Sequence, residues 1–237
     1  MEPIEFYMDH RKADLPAWDP IDVWEMERAL ISGYKGKVSL PRRLENLFMV
    51  GAGIRGSSMF HPRDEREVLA VRDLAERIGI GMIVRMAGNK VHKVFLFGRE
   101  KQGSAMSIPD IDESMGDKEF IIAQIGIANF TGHFLEFPDC CRERFVRHLM
   151  ACTDQDEEAM RMLIAEKDPD PRAYFVERFV PCSPRCPNAI SEGRRIEEEI
   201  EEKAPRVLPL NRGLRLDHME EIRSGRILEE KRTRDIA

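Results

Sequence analysis

No stretch of the 237 residues approaches the roughly 20 consecutive apolar residues that a bilayer-spanning helix needs, so no membrane contact is expected. The start, Met1-Glu2-Pro3-Ile4-Glu5, has no basic region followed by an apolar stretch, and a cytoplasmic location is the expectation. Gly-x-Ser-x-Gly, a Walker loop and His-Glu-x-x-His are all missing, which leaves the common hydrolase and nucleoside-triphosphatase readings without support. Basic residues are outnumbered, 37 Lys and Arg against 43 Asp and Glu, giving a net charge of -6. That balance argues against a surface built as a whole to hold nucleic acid. A local basic groove stays open, with Lys35, Lys37, Arg42 and Arg43 as its candidates and phosphate as its ligand. Internal repeats and low-complexity segments are absent too.

The residues that are present describe a globular chain. Hydrophobic residues make up 42% and charged residues 34%, which suits a buried core beneath a densely charged surface. The length suffices for that core without disulfides. Five cysteines, an odd number with no export signal, read as reduced thiols available for metal, catalysis or packing.

The spacing of apolar residues predicts a helix from Asp19 to about Ser32 and a short strand at Asn46 to Val50 that runs into the turn Gly51-Ala52-Gly53-Ile54-Arg55-Gly56. An amphipathic helix is predicted from Pro62 or Arg63 to a stop at Gly79. Residues 81–98 read as a β-hairpin about Gly88-Asn89, and residues 99–117 as a loop able to act as a lid. Helices are predicted over about 118–130, 140–151, 154–167, 171–179 and 187–203, with turns at Gly132, Pro138 and Pro181 and a short helical pattern around His218 to Ile222. The fold class is therefore α+β, with a small N-terminal sheet containing a hairpin packed on helices, followed by a mainly helical C-terminal half. Its parts are 1–117, a cysteine-bearing 118–204 and an extension at 205–237, expected to form one compact unit.

Chemistry concentrates at four thiols. In Phe137-Pro138-Asp139-Cys140-Cys141, Asp139 is the predicted N-cap and both cysteines fall in the first turn of a helix. In Pro181-Cys182-Ser183-Pro184-Arg185-Cys186-Pro187, Pro187 suits the first helical position, which makes Cys186 the cap. Amide groups at a helix start favour negative charge and draw a cysteine toward the thiolate, the form that binds metal or attacks an electrophile. A vicinal pair and a C-x3-C separated by 40 residues match neither the C-x2-C spacing of zinc ribbons nor the C-x3-C-x2-C of radical enzymes. Neighbouring ligands are sterically awkward, so a three-cysteine site without Cys140 or Cys141 stands beside a full set of four.

Small buried cysteines that merely pack are the plain alternative. Cys152 is placed there, because it follows Phe145 and Leu149 on one apolar stripe. His148 reads as a surface histidine of the same helix. His133 is the better candidate for a further ligand or for moving protons, and Arg142 and Arg185 for orienting an anionic substrate. Gly51, Gly53 and Gly56 match the dinucleotide fingerprint as a string, which makes them candidates for holding a cofactor or anion. Their context argues for a simple turn, because the helix that the fingerprint needs does not open at the second glycine.

Two of these motifs carry a resemblance. Phe137-Pro138-Asp139-Cys140-Cys141, together with Phe179-Val180-Pro181-Cys182-Ser183-Pro184-Arg185-Cys186-Pro187-Asn188-Ala189, resembles a mostly archaeal family catalogued as domain of unknown function 483. That family has a glycine before the aromatic–proline pair, where this chain has Glu136. The resemblance implies an archaeal, cytoplasmic protein and no particular activity.

The functional expectation is a cysteine-ligated metal protein in which Cys140, Cys141, Cys182 and Cys186 hold an iron–sulfur cluster or, next in order, zinc. A thiol–disulfide redox protein and a non-catalytic nucleic-acid or protein binding module are the rival readings. All depend on whether two distant stretches bring their sulfurs to one place.

Overall fold

The structure, a computed structural model, describes residues 40–62, 65–87, 90–105, 117–151, 153–176 and 179–226. The helix expected at Asp19 to Ser32, the turn at Gly88-Asn89, Lys35, Lys37, Cys152 and most of the 99–117 segment lie outside these residues. The chain divides into two compact units, one formed by Met1–Ser107 with Glu199–Leu208 and the other by Ile108–Glu198 with Pro209–Ala237.

In the first unit, α1 (Leu40–Gly51) leads through a turn to β1 (Ser57–Phe60), α2 (Glu65–Arg77), β2 (Gly81–Ala87) and β3 (Lys90–Phe97). The strands make one antiparallel sheet in the order β1-β3-β2, and β2 and β3 form the expected hairpin. As the middle strand, β3 carries a continuous apolar run, and Val94, Phe95, Leu96 and Phe97 are all buried. Phe97 pairs with Gly81, and its ring occupies the space where a side chain at Gly81 would project.

Asn46 to Val50 is not a strand. These residues belong to α1, in which Arg43, Asn46, Leu47 and Val50 are buried at helical spacing. Two of those four are polar, so a count of apolar residues alone loses the period, and a short apolar run by itself does not separate helix from strand. The polar pair is partnered: Ser58 of β1 donates to Asn46 Oδ1 at 2.8 Å, and Arg43 pairs with Glu67 at 2.9 Å, donates to the His61 carbonyl and stacks 4.5 Å from the Phe60 ring centroid. Arg43 is thus a core residue of this unit rather than part of a basic surface. The loop expected after the hairpin begins with a 3-10 turn (Arg99–Lys101) and a single helical turn, α3 (Gln102–Ala105).

The second unit is helical: α4 (Asp117–Phe134), α5 (Asp139–Met150), α6 (Gln155–Ala165), the start of α7 (Pro187–Lys203) and most of α8 (Leu208–Arg223). Asp154 caps α6 by accepting from the amides of Asp156 and Glu157. Gly132 is not a turn. It lies inside α4, and a Cβ there would stand 2.7 Å from Arg142 Cδ, so its lack of a side chain is what admits α5 this close.

The helix expected at 171–179 is also corrected, since only a 3-10 turn forms at Pro171–Tyr174. Asp170 caps this turn and pairs with Arg172. Phe175 and Phe179 pack with Phe137 in a three-ring cluster. The pattern around His218 extends into a full helix, because Arg215 binds the Gly193 carbonyl and Glu197 while His218 Nε2 meets the Phe179 carbonyl at 3.1 Å. These contacts hold the segment that leads to Cys182.

Gly193 marks the tightest approach, since a Cβ on it would lie 2.0 Å from the backbone oxygen of Arg172. Backbone cannot give way as a side-chain tip does. Gly193→Ala should lower unfolding stability by at least about 2 kcal/mol, the scale of core overpacking. Urea unfolding checks this, and an unchanged midpoint contradicts it.

Candidate metal centre

Two helix starts build the site. Cys140 and Cys141 occupy the second and third positions of α5, behind Asp139. The N-cap is Pro138 rather than Asp139, whose carboxylate makes no capping bond and instead pairs with Arg142. Cys182 and Cys186 bracket a turn closed by the Cys186 amide donating to the Ser183 carbonyl at 3.0 Å. Cys186 then caps α7, its carbonyl accepting from Ile190 at 2.9 Å with Pro187 as the first helical residue. The rigid proline fits a position whose amide would have no helical partner.

The four sulfurs converge. Cys186 Sγ lies 3.7 Å from the sulfurs of both Cys140 and Cys141, the vicinal pair is 3.9 Å apart, and all four lie within 4.8 Å of one another. Cys141 and Cys186 are buried, while Cys140 and Cys182 are half-buried. The site therefore has an inner and an outer side.

Two N–H groups address the sulfurs. The amide of Cys182 donates to Cys141 Sγ and the side-chain amide of Asn188 to Cys140 Sγ, each at 3.4 Å. Burial pushes the Cys141 thiol up, with the amide of Cys182 only partly offsetting it, and burial with the neighbouring sulfurs pushes Cys182 up to about 12. Burial raises Cys140 as well, but the hydrogen bonds from Asn188 and the other thiols outweigh it and the net direction is down. The Cys141 and Cys182 thiols thus hold protons that a cation must displace.

Around this centre, Arg144 donates to the Cys182 carbonyl at 2.8 Å and pairs with Glu158. Glu158 also meets His148 Nε2 at 2.7 Å, and His148 Nδ1 meets the Thr153 hydroxyl at 2.7 Å. His148 is therefore the middle of a chain of contacts from α5 to α6, not a bare surface group. Metal sites depend on such outer contacts to orient their ligands.

The other expected site residues fall outside the sulfur cluster. His133 is exposed in the last turn of α4, Arg142 is engaged with Asp139, and Arg185 is exposed in the turn between Cys182 and Cys186. Gly51, Gly53 and Gly56 lie in the first unit and follow a helix instead of opening one. There Gly53, at φ 63, donates to the Val50 carbonyl and Ile54 to the Met49 carbonyl, a helix-ending pair of bonds that turns these amides inward. Arg144, like Arg142 and Arg185, is a cation expected beside the thiols, whereas Asn188 as a donor to sulfur is not expected from the sequence. Its side chain, just after the Cys-Pro start of α7, reaches Cys140 on the other helix.

No helix among the described residues is long and apolar enough to cross a membrane. Comparison with known proteins finds no matching family model, no matching curated protein and no matching solved structure.

The turn leading into α5 stores strain. Glu136 adopts φ 59, and the bonds Glu136 N to His133 O and Phe137 N to Gly132 O repeat the helix-ending pattern seen at Gly53. A residue with a Cβ is disfavoured there by about 1 kcal/mol. Glu136→Gly should raise stability by up to about 1 kcal/mol. Thermal unfolding reads the shift, and a loss of stability contradicts the strain.

Proposed function

We propose that the chain is a zinc protein in which Cys140, Cys141, Cys182 and Cys186 hold one ion as a tetrathiolate. The sulfur spacing carries this reading. Zinc–sulfur bonds near 2.3 Å place the corners of a tetrahedron about 3.8 Å apart, and the sulfur separations of 3.7 and 3.9 Å fit that edge. A four-iron cluster hangs one thiolate on each of four separate irons, so its sulfurs stand on a wider tetrahedron. The upper limit of 4.8 Å here favours a single ion, and hence zinc ahead of a cluster.

When bound, zinc supplies a redox-inert cross-link of positive charge. The residues do the rest. Cys140 and Cys141 bring the start of α5, and Cys182 and Cys186 the start of α7, to one point. The two helix N-termini and the donors Asn188 and Cys182 N–H offset the charge of the thiolates. Arg144 fixes the loop through the Cys182 carbonyl. Arg185, which makes no ion pair or hydrogen bond among the described residues, is the side chain available to an anionic partner.

Membership in the family catalogued as domain of unknown function 483 is part of this proposal, and with it an archaeal source and a cytoplasmic location. The left-handed backbone at Glu136 supports it, because that is the position at which the family has glycine. A thiol–disulfide function is the second reading. It is favoured by the 3.7 Å between Cys140 and Cys186, which lie on different helices with Cys140 reachable from solvent.

Protein purified anaerobically without added metal should contain one zinc per chain and no iron or labile sulfide. Cobalt in its place should give the intense visible bands of a tetrahedral thiolate site. Metal uptake should release protons, so apparent affinity climbs as pH rises and falls on acidification. A metal-free protein that folds equally well with all four cysteines changed to serine contradicts zinc binding. Cross-helix disulfides that form readily in the metal-free protein with its cysteines intact favour the redox reading.

A further inference from the structure

The four sulfurs are not equivalent, and two properties separate them. Access divides them first: Cys141 and Cys186 are buried, while Cys140 and Cys182 are half-buried. Hydrogen bonding divides them again, because Asn188 donates to Cys140 and the amide of Cys182 donates to Cys141, whereas no N–H among the described residues reaches the sulfur of Cys182 or Cys186. Only Cys182 combines access with the lack of an N–H donor.

That combination has a chemical consequence. Four thiolates on one dication leave an electron-rich site, and an N–H bond withdraws density from whichever sulfur accepts it. A sulfur spared that bond and open to solvent is the strongest nucleophile of the set. Positive charge lies close in the chain, since Arg144 donates to the Cys182 carbonyl at 2.8 Å and Arg185 is exposed in the same turn.

We propose, resting on the reading of the site as a metal tetrathiolate, that Cys182 is its nucleophilic sulfur. It accepts an alkyl group from a soft carbon electrophile that bears an anionic leaving group. A lone pair of the Cys182 thiolate forms the S–C bond as the bond from that carbon to the leaving group breaks. The leaving group departs with the bonding pair as an anion, which the exposed Arg185 is placed to favour. Cys182 becomes a thioether, and the net charge of the site rises by one. No oxidant, reductant or further reactant enters. Nothing in the step regenerates the thiolate, so each chain accepts one alkyl group, as a single-use acceptor or sensor does.

The test uses the full chain with its zinc content measured first, then a substoichiometric dose of iodoacetamide and peptide mapping over time. Cys182 should be labelled first, at least about tenfold faster than Cys140, Cys141 or Cys186, a contrast of the size that outer contacts impose on metal ligands. Asn188→Ala, at an exposed position, should bring Cys140 to within about threefold of Cys182 by removing its N–H donor. Stoichiometric zinc with uniform labelling, with Cys140 labelled first, or with no response to Asn188→Ala overturns the proposal and leaves the metal reading standing. Absence of zinc before the probe is added overturns both.

Discussion

Like charges resist being gathered, and that constraint organises the helical unit. Two thiolates at 3.7 Å repel by about 4 kcal/mol at an effective dielectric of 20, and four of them make six such pairs. No arrangement of a few hydrogen bonds offsets that sum, and burial, ahead of the neighbouring sulfurs, pushes Cys141 and Cys182 further toward their protonated forms. The fold nevertheless brings the sulfurs together. It does so at two helix starts, the first turn of α5 and the cap of α7, whose dipoles favour negative charge.

The surroundings follow from holding those two helix starts in register. Gly132 lets α5 approach α4, Glu136 accepts a strained backbone to reverse the chain, and Phe137 anchors the reversal against Phe175 and Phe179. On the other side, Gly193 admits the Arg172 backbone, and His218 and Arg215 secure the approach to Cys182 from α8. Each is a local cost or close contact that makes little sense by itself. Together they set sulfur positions to within the tolerance of a metal–ligand bond.

Much of this could be read from the residues. Cys140 and Cys141 in a first turn follow from the apolar spacing after Asp139, Cys186 as a cap follows from Pro187, and the hairpin follows from the two apolar runs that flank Gly88-Asn89. What escaped had physical causes. The buried polar side chains Arg43 and Asn46 masked the period of α1, and Asn188 acts through a contact with Cys140, a residue distant in sequence. The segment at 171–179 has helical spacing, but Phe175 and Phe179 pack with Phe137 in an aromatic cluster, a tertiary preference that local pattern does not encode.

X-ray absorption at the zinc edge of the purified protein bears most directly on the central claim. A single shell of four sulfur neighbours near about 2.3 Å, with no short metal–metal distance, is the predicted result. Nitrogen or oxygen neighbours in place of any sulfur, or a metal–metal distance from a cluster, would contradict it.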